Sequence, residues 1–383
     1  MNPSHLLSNE AQVFRDALEN PVRTYERIQT ENNKPIIGYF TDVVPVELLH
    51  AAGGHPGRLF PSSESDEPLD SLVQTFCCSY LRNFLSYALE TDLKKAVSAV
   101  VFTNNFCDSL TNVMDIFEHA FPEFPFTVLN QPVAATNSNV EVFFQKELQL
   151  LSENLAKITG QLPDDKTIRE SITTYEQIRT AQSKLEMAYY EHHDQIAFSD
   201  FVACLSGREF MPAGEYKEVL NVILSKLEKP SEANGSDSSQ LILVGGMFHD
   251  LQIFDVIEQA GSSVVGELLL FGRKDFDMKF SKSKSALESL AKSYLAKLPS
   301  ATRYDLSSKT NSLLKMVEDK QADGVVHLNW KFCDPDAFEA VMVKNALEKA
   351  QIPFLMLETD PQRSNIEQMK TRCQAFCEML EEK

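Results

Sequence analysis

The feature that most constrains the fold is a motif that occurs twice. In each half of the 383-residue chain, a short apolar run leads into Phe-Cys-Asp, first at 106–108 and again at 332–334. A proline-led apolar run then begins 18 residues after Cys107 and 20 residues after Cys333. Apolar runs without polar alternation are typical of parallel strands that are buried on both faces. The shared order of these landmarks predicts two similar α/β domains.

Each half also opens on the same strand–turn–helix unit. The apolar run 36–40 leads into a helix that begins near Pro45 and ends at Gly53. The run 241–245 likewise leads into a helix that ends at Gly261. Proline in the first turn of a helix and glycine just after its end are the expected terminal residues. Alternating strands and helices of this kind imply parallel sheets that are covered on both faces.

The stretch between the two halves has a different pattern. From 140 to 229 the apolar residues recur at helical spacing, and the Ser-, Gly- and Asp-rich segment 229–239 has the composition of a loop. We therefore predict an α/β protein with two flavodoxin- or Rossmann-like domains and a helical segment between them. The predicted units are an N-terminal helical segment (1–34), a first α/β domain (35–139), a helical connecting region (140–232) and a second α/β domain (233–383).

Charge and hydropathy narrow the classes of partner. Lys and Arg number 36 against 55 Asp and Glu, which gives a net charge of −19. Such a surface repels phosphate backbones, so we expect no nucleic-acid partner. The N-terminus lacks the basic and apolar regions of a signal peptide, and no apolar run approaches the roughly 18 residues of a membrane helix. We expect a soluble, cytoplasmic protein that does not bind membranes.

The seven cysteines are the candidate chemical groups. In a protein that is not secreted, they are more typical of thiols or metal ligands than of disulfides. No pair has the C-x-x-C spacing of zinc fingers and ferredoxins, so any metal site must combine distant segments. Cys107 and Cys333 each lie between a strand and a helix, at the sheet edge where ligands bind and helix N-termini favour thiolates. Their repetition favours a ligand role over simple burial.

A third ligand is available at Cys77 or Cys78. Only one of two adjacent cysteines is expected to bind the same metal, and the other is expected to pack. Three thiolates from separate segments leave a fourth position open, as catalysis requires. The residues alone leave the metal undecided between zinc and iron–sulfur. The cysteines at 204, 373 and 377 have apolar neighbours and are predicted to lie in the core.

Several stretches carry motif residues in a specific order. They are Val-Pro-Val-Glu-Leu-Leu-His-Ala-Ala-Gly at 44–53, Cys-Ser-Tyr-Leu-Arg-Asn at 78–83, the two Phe-Cys-Asp motifs, Ile-Pro-Phe-Leu-Met-Leu-Glu-Thr-Asp at 352–360, and Thr-Arg-Cys-Gln-Ala-Phe at 371–376. Together they resemble the motifs of the 2-hydroxyacyl-CoA dehydratase and benzoyl-CoA reductase family. The resemblance runs from about residue 35 to the end of the chain.

The resemblance implies an oxygen-sensitive 4Fe-4S cluster with three cysteine ligands. Carried over by motif, the ligands are Cys78, Cys107 and Cys333. Cys78 is preferred to Cys77 because Arg82 follows it by four residues, as in the family's pattern. The resemblance also implies a heterodimer with a homologous second subunit, a separate ATP-dependent iron–sulfur activator, and an acyl-CoA substrate.

The implied reaction is that of a lyase. In the dehydratases, one electron converts a 2-hydroxyacyl-CoA into a ketyl radical, which expels the hydroxyl group and later returns the electron. Two alternatives remain: a subunit of a benzoyl-CoA reductase-type enzyme, and a non-catalytic subunit that relays electrons. A zinc hydrolase is disfavoured because three cysteines without histidine make a poor hydrolytic site.

Glu47 is the candidate for proton transfer, because it matches the family's Pro-x-Glu and a carboxylate near the site could move the proton. An equally weighted interpretation is a carboxylate that complements the helix dipole in the first turn. His50, one turn further on, is more simply a packed or solvated side chain. Asp108 and Asp334 are predicted to cap the helices that follow the cysteines.

Overall fold

The computed structural model describes residues 7–61, 69–91, 93–134, 139–193, 195–227, 238–270, 272–303 and 306–382. Within these ranges the chain forms two four-stranded, all-parallel sheets. The first contains β1 (Ile36–Tyr39), β2 (His55–Arg58), β3 (Ala99–Asn104) and β4 (Phe126–Asn130), and the second contains β5 (Ser239–Gly245), β6 (Ser262–Leu268), β7 (Gly324–Trp330) and β8 (Phe354–Thr359).

Helices cover both sheets and fill the region between them. They are α1 (Ser8–Glu19), α2 (Pro21–Asn32), α3 (Val46–Ala51), α4 (Ser79–Glu90), α5 (Leu93–Ala96), α6 (Asp108–Ala120), α7 (Val140–Thr159), α8 (Asp165–Glu191), α9 (Phe198–Ser206), a 3₁₀ turn (Gly207–Glu209), α10 (Ala213–Leu227), α11 (Leu251–Gln259), α12 (Arg273–Phe276), α13 (Ala286–Ala296), α14 (Leu306–Lys320), α15 (Asp334–Lys349) and α16 (Ile366–Glu381). The α/β class and the parallel sheets are therefore confirmed.

The two sheets share one strand order. It is β2-β1-β3-β4 in the first and β6-β5-β7-β8 in the second, so the third strand along each half, β3 or β7, lies beside the first. This equivalence places the segments after β3 and β7, which carry the repeated motif, at corresponding edges of the two sheets. The domain boundaries stay predictions, and the one at 232 lies outside the described residues.

The second strand of each sheet was missing from the predicted elements. β2 consists of His-Pro-Gly-Arg, which has no residue of high strand propensity, and among the described strands it pairs only with β1. An edge position tolerates its proline, because one side of the strand needs no backbone donor. The turn before it was foreseen: α3 ends at Ala51, and Gly53 follows with a positive φ of 82°. Tertiary pairing with β1 therefore overrides the weak propensity of β2.

A buried network of charges joins the first sheet to the helical region and to helices of the second half. Asp275 in α12 accepts hydrogen bonds from Lys297 at 2.5 Å, from Arg208 at 2.5 Å and from Arg58 of β2 at 3.3 Å. Arg58 also donates to Glu209 of the 3₁₀ turn at 2.6 Å. Burial alone raises the pKa of Asp275, but the three cations outweigh burial and lower that pKa well below its ordinary value. One carboxylate thus ties together three regions of the chain.

Replacing Asp275 by Asn should lower the free energy of unfolding by about 3–5 kcal/mol, because it leaves buried cations without their counter-charge. Urea denaturation followed by circular dichroism measures the change. Because the pKa of Asp275 falls on folding, its contribution is present above the ordinary aspartate pKa of about 3.9 and should be lost as the pH falls further. Asp319→Asn, which removes an exposed pair with Lys315, is the matched control and should leave the midpoint unchanged. An equal effect of the two variants would contradict the role given to the network.

Candidate functional site

One pocket receives residues from both halves of the chain. Cys78, Cys107 and Cys333 all line it, although 255 residues of sequence separate the first from the last. The space between its walls, counted together with the solvent at its open mouth, is about 590 Å³. The structure therefore brings together the three cysteines that the motifs had singled out.

Each of the three cysteines occupies the N-cap position of a helix. Cys78 precedes α4, Cys107 precedes α6 and Cys333 precedes α15. The backbone N–H groups and the dipole at a helix N-terminus stabilise negative charge within the first turn. Asp108 and Asp334 are the first residues of α6 and α15, so the predicted capping role is wrong for both, although their charges complement the same dipoles.

The two equivalent loops reach the pocket through left-handed residues. Asn105 has a φ of 59° two residues before Cys107, and Phe332 has a φ of 63° directly before Cys333. Asn adopts this conformation with little strain, but a bulky aromatic residue does so at a cost of about 1–3 kcal/mol. Strain held next to a cysteine is typical of functional sites, where the surrounding structure enforces a particular side-chain direction.

The three thiols differ in acidity. The interaction with the neighbouring Cys333 thiol, followed by the N–H groups of Leu81 and Tyr80, lowers the pKa of Cys78 despite burial. The same interaction, together with burial, raises the pKa of Cys333. Burial raises the pKa of Cys107 to about 12. Cys78 is therefore the most acidic of the three thiols.

The rest of the pocket has an apolar wall and a polar wall. Aromatic and aliphatic residues form the first: Tyr80, Leu81, Phe106, Leu110, Met247, Leu270 and Trp330. Lys274, Lys309, Ser300, Thr302 and Asp336 contribute to the second. Lys309 is 2.5 Å from the Glu339 carboxylate, whereas the Lys274 amine has no hydrogen-bond acceptor among the described residues.

Sequence reasoning missed both lysines. Lys274 lies in a four-residue helix and Lys309 in the first turn of α14, and neither carries a local pattern that separates it from the chain's other lysines. Asp336 had a weak signal, because it follows Cys333 by three residues and so lies on the same side of the first turn of α15. Its Oδ2 is 3.5 Å from the Cys333 sulfur.

Glu47 does not line this pocket. It is fully buried in α3, where Arg179 of α8 lies 2.5 Å from its Oε1 and the Tyr294 hydroxyl of α13 donates to its Oε2 at 2.7 Å. His50 is within 2.9 Å of the Ser171 hydroxyl, which agrees with a packed side chain. Glu47 thus joins three helices, and its catalytic role stays a prediction.

The remaining cysteines lie where packing explains them. Cys204, Cys373 and Cys377 are buried in the main hydrophobic core, as predicted. Cys77 is also buried but is not among the residues that line the pocket. Arg82, one turn into α4, forms an ion pair with Asp70. In the ranges given above, no three His, Cys, Asp or Glu side chains stand at the spacing of a single-ion site.

The family of the chain follows from comparison with known sequences. The sequence model of the family described as 2-hydroxyglutaryl-CoA dehydratase, D-component, matches residues 42–380. The match contains all three pocket cysteines and covers most of both domains. The chain belongs to this family of dehydratase subunits.

Individual relatives are distant but match over nearly their whole length. The chain is 24% identical to the (R)-phenyllactyl-CoA dehydratase beta subunit of Clostridium sporogenes, over 96% of this chain and 97% of that protein. It is 22% identical to the (R)-2-hydroxyglutaryl-CoA dehydratase subunit beta of Acidaminococcus fermentans, over 91% and 93%. It is 20% identical to one of the subunits of the benzoyl-CoA reductase of Thauera aromatica, over 92% of each chain.

No helix in the described part of the chain is both long and apolar enough to cross a membrane.

Replacing Glu47 by Gln should lower the free energy of unfolding by about 3–5 kcal/mol, because Arg179 would stay buried without its counter-charge. Metal content should stay at the wild-type level, since Glu47 lies outside the cysteine pocket. Denaturant melts and metal analysis of the same preparation measure both effects. Glu31→Gln, which removes an exposed pair with Arg27, is the control. Wild-type stability combined with lost turnover would instead favour a catalytic role for Glu47.

Proposed function

We propose that the chain is the iron–sulfur subunit of a 2-hydroxyacyl-CoA dehydratase. It would bind a 4Fe-4S cluster through Cys78, Cys107 and Cys333. The reaction would be the radical (ketyl) elimination of water from an (R)-2-hydroxyacyl-CoA, with an electron from an ATP-dependent activator. The single observation that carries the proposal is the meeting of three distant cysteines in one pocket of a chain that belongs to this family.

The residues of the pocket fit such a cluster. A donor set of three thiols without imidazole is typical of iron–sulfur sites. Three helix N-termini converge on these thiols, and their backbone N–H groups would stabilise the negative charge of a thiolate-bound cluster. The amine of Lys274 lacks a partner in the described protein, and an anionic group in the pocket would balance its charge. When bound through three protein ligands, a cluster supplies low-potential electron transfer and one open iron position.

The apolar wall would protect radical chemistry from water. Trp330 is held rigidly, because its indole N–H donates to the Met247 carbonyl at 2.7 Å and its ring stacks on Phe248 at 4.4 Å. Tyr80 packs against Trp330 with ring centroids 5.8 Å apart. Aromatic side chains in the lining would keep bulk water from their side of the pocket, which limits the side reactions of reactive intermediates.

A proton can be held beside Cys333. Burial, followed by the charge of Glu339, raises the pKa of Asp336, whose Oδ2 lies 3.5 Å from the Cys333 sulfur. Gly246 leaves room for this carboxyl, because any Cβ at that position would collide with Asp336 Oδ2. The Gly245–Gly246 turn thus has a steric role in the site.

The relatives favour a complex of several proteins. Two of the relatives are named as beta subunits of dehydratases, which supports a homologous second subunit for this chain. The acyl-CoA substrate and the ATP-dependent activator belong to the same proposal. The benzoyl-CoA reductase relative supports the alternative of a reductase subunit. A subunit that only relays electrons is the other alternative, since a complex of two related subunits needs only one site for substrate.

The cysteine roles can be tested by metal analysis. After anaerobic purification, the wild-type chain should contain iron and sulfide and show a brown colour that bleaches in air. Changing Cys78, Cys107 or Cys333 to Ser should remove most of the iron, because each supplies one of three ligands from a separate segment. Inductively coupled plasma mass spectrometry and a sulfide assay give the two contents.

Matched controls come from the other cysteines. Cys77→Ser should retain the iron although it is adjacent to Cys78, and Cys204→Ala, Cys373→Ala and Cys377→Ala should reduce only stability, by about 1–3 kcal/mol each. Loss of iron in Cys77→Ser with retention in Cys78→Ser would shift the ligand assignment by one residue. Stoichiometric zinc that is stable in air would contradict the cluster.

The reaction type can be tested in the complex with the second subunit. With titanium(III) citrate as the electron donor, a dehydratase should convert a 2-hydroxyacyl-CoA to the enoyl-CoA with far fewer electrons consumed than product formed. Mass spectrometry of the thioesters measures product, and the loss of titanium(III) colour measures electrons. Two electrons per product would identify a reductase and contradict the dehydratase assignment.

A further inference from the structure

The cysteine pocket contains a buried lysine whose amine has no hydrogen-bonded counter-charge. Lys274 in α12 is only 4% exposed, and its Nζ has no hydrogen-bond acceptor within the described residues. Moving an ammonium group out of water without a partner is strongly unfavourable. An anionic group bound in the pocket would compensate this lysine where the described residues do not.

The neighbouring charged groups form ion pairs with one another. Lys309 is 2.5 Å from Glu339, and Lys297 is 2.5 Å from Asp275. Asp42 lies 3.6 Å from Lys297, and Asp336 is 3.5 Å from the Cys333 sulfur. One carboxylate oxygen of Asp42 and one of Glu339 have no hydrogen-bond partner among the described residues, but neither is hydrogen-bonded to Lys274. Of the two lysines that line the pocket, Lys274 is therefore the one whose amine has no hydrogen-bond partner in the described part of the chain.

The acidity of Lys274 agrees with this count. Burial and then the nearby charge of Lys309 lower its pKa to about 8, even though Asp42 and Glu339 act in the opposite direction. The protein alone therefore holds this proton weakly. A negative group in the pocket would strengthen the hold.

We propose that Lys274 is the counter-charge of the cluster bound by Cys78, Cys107 and Cys333, and that it raises the cluster's reduction potential. This inference rests on the proposed function. Three thiolates outweigh the positive charge of an iron–sulfur core, so the bound group is anionic, and reduction makes it more so. In a pocket of low dielectric constant, an ammonium group stabilises the reduced form more than the oxidised form. Lys274 would therefore act through its charge on the cluster and favour the reduced form, without contacting the substrate.

Redox titration of the full-length, anaerobically purified chain tests the inference. Lys274→Met keeps the apolar stem and removes the charge, whereas Lys274→Arg keeps the charge. Lys344→Met removes an exposed charge from α15 and is the control.

At the wild-type midpoint potential, Lys274→Met should show at least a tenfold lower ratio of reduced to oxidised cluster by electron paramagnetic resonance, about 59 mV for one electron. Lys274→Arg and Lys344→Met should stay within threefold of wild type. Equal midpoints of Lys274→Met and wild type at equal iron content would overturn the inference and leave the proposed function intact.

Iron content separates the other outcomes. Loss of iron in Lys274→Met with retention in Lys274→Arg would support the counter-charge, because only the charge differs. Loss of iron in both variants would overturn it. A wild-type chain that binds no iron would overturn both the proposed function and this inference.

The melting temperature of the metal-free protein is a second test, and it does not require a bound cluster. Removing an uncompensated buried charge should make metal-free Lys274→Met melt at or above the temperature of metal-free wild type, whereas Lys344→Met should leave the melting temperature unchanged. A markedly lower melting temperature for metal-free Lys274→Met would show that the charge has a partner in the protein, and would overturn the inference.

Discussion

The buried carboxylate of Asp275 is the interaction on which the rest of the structure depends. It accepts hydrogen bonds from Arg58 of the first sheet, Arg208 of the helical region and Lys297 at the end of α13. Since buried charges are tolerated only with good partners, the three regions are held in one arrangement. Asp275 directly follows Lys274 in α12, so the network that joins the regions also fixes the lysine in the cysteine pocket.

Two of the three pocket cysteines come from equivalent positions of the internal repeat, and the third does not. Cys107 and Cys333 follow equivalent strands, β3 and β7, and each begins a helix. The third thiol has no such counterpart: Cys78 comes from the segment between β2 and β3, whereas the equivalent segment between β6 and β7 supplies Lys274. The pseudo-symmetric frame thus provides two matched thiols, and the asymmetric segments provide a third thiol on one side and a cation on the other.

The sheets could be predicted from the local pattern of apolar residues. Features that depend on contacts between residues distant in sequence could not. The apolar runs of β1, β3, β5 and β7 predicted parallel strands, and strand-end placement predicted that each repeated cysteine lies at the ligand-binding edge of its own sheet. β2 was not predicted because its residues have low strand propensity and it forms a strand through pairing with β1. The partners of Glu47 were also hidden, because Tyr294 is 247 residues away in sequence. Lys274 is an ordinary lysine until the fold buries it beside three thiols.

The central claim is that Cys78, Cys107 and Cys333 surround one iron–sulfur cluster at the junction of the two domains. Anomalous diffraction from anaerobically grown crystals, recorded on both sides of the iron edge, tests it most directly. The account predicts one strong iron peak in the cysteine pocket, within bonding distance of all three sulfurs and on the same side as Lys274. An iron peak elsewhere, or a peak that persists only at the zinc edge, would contradict it.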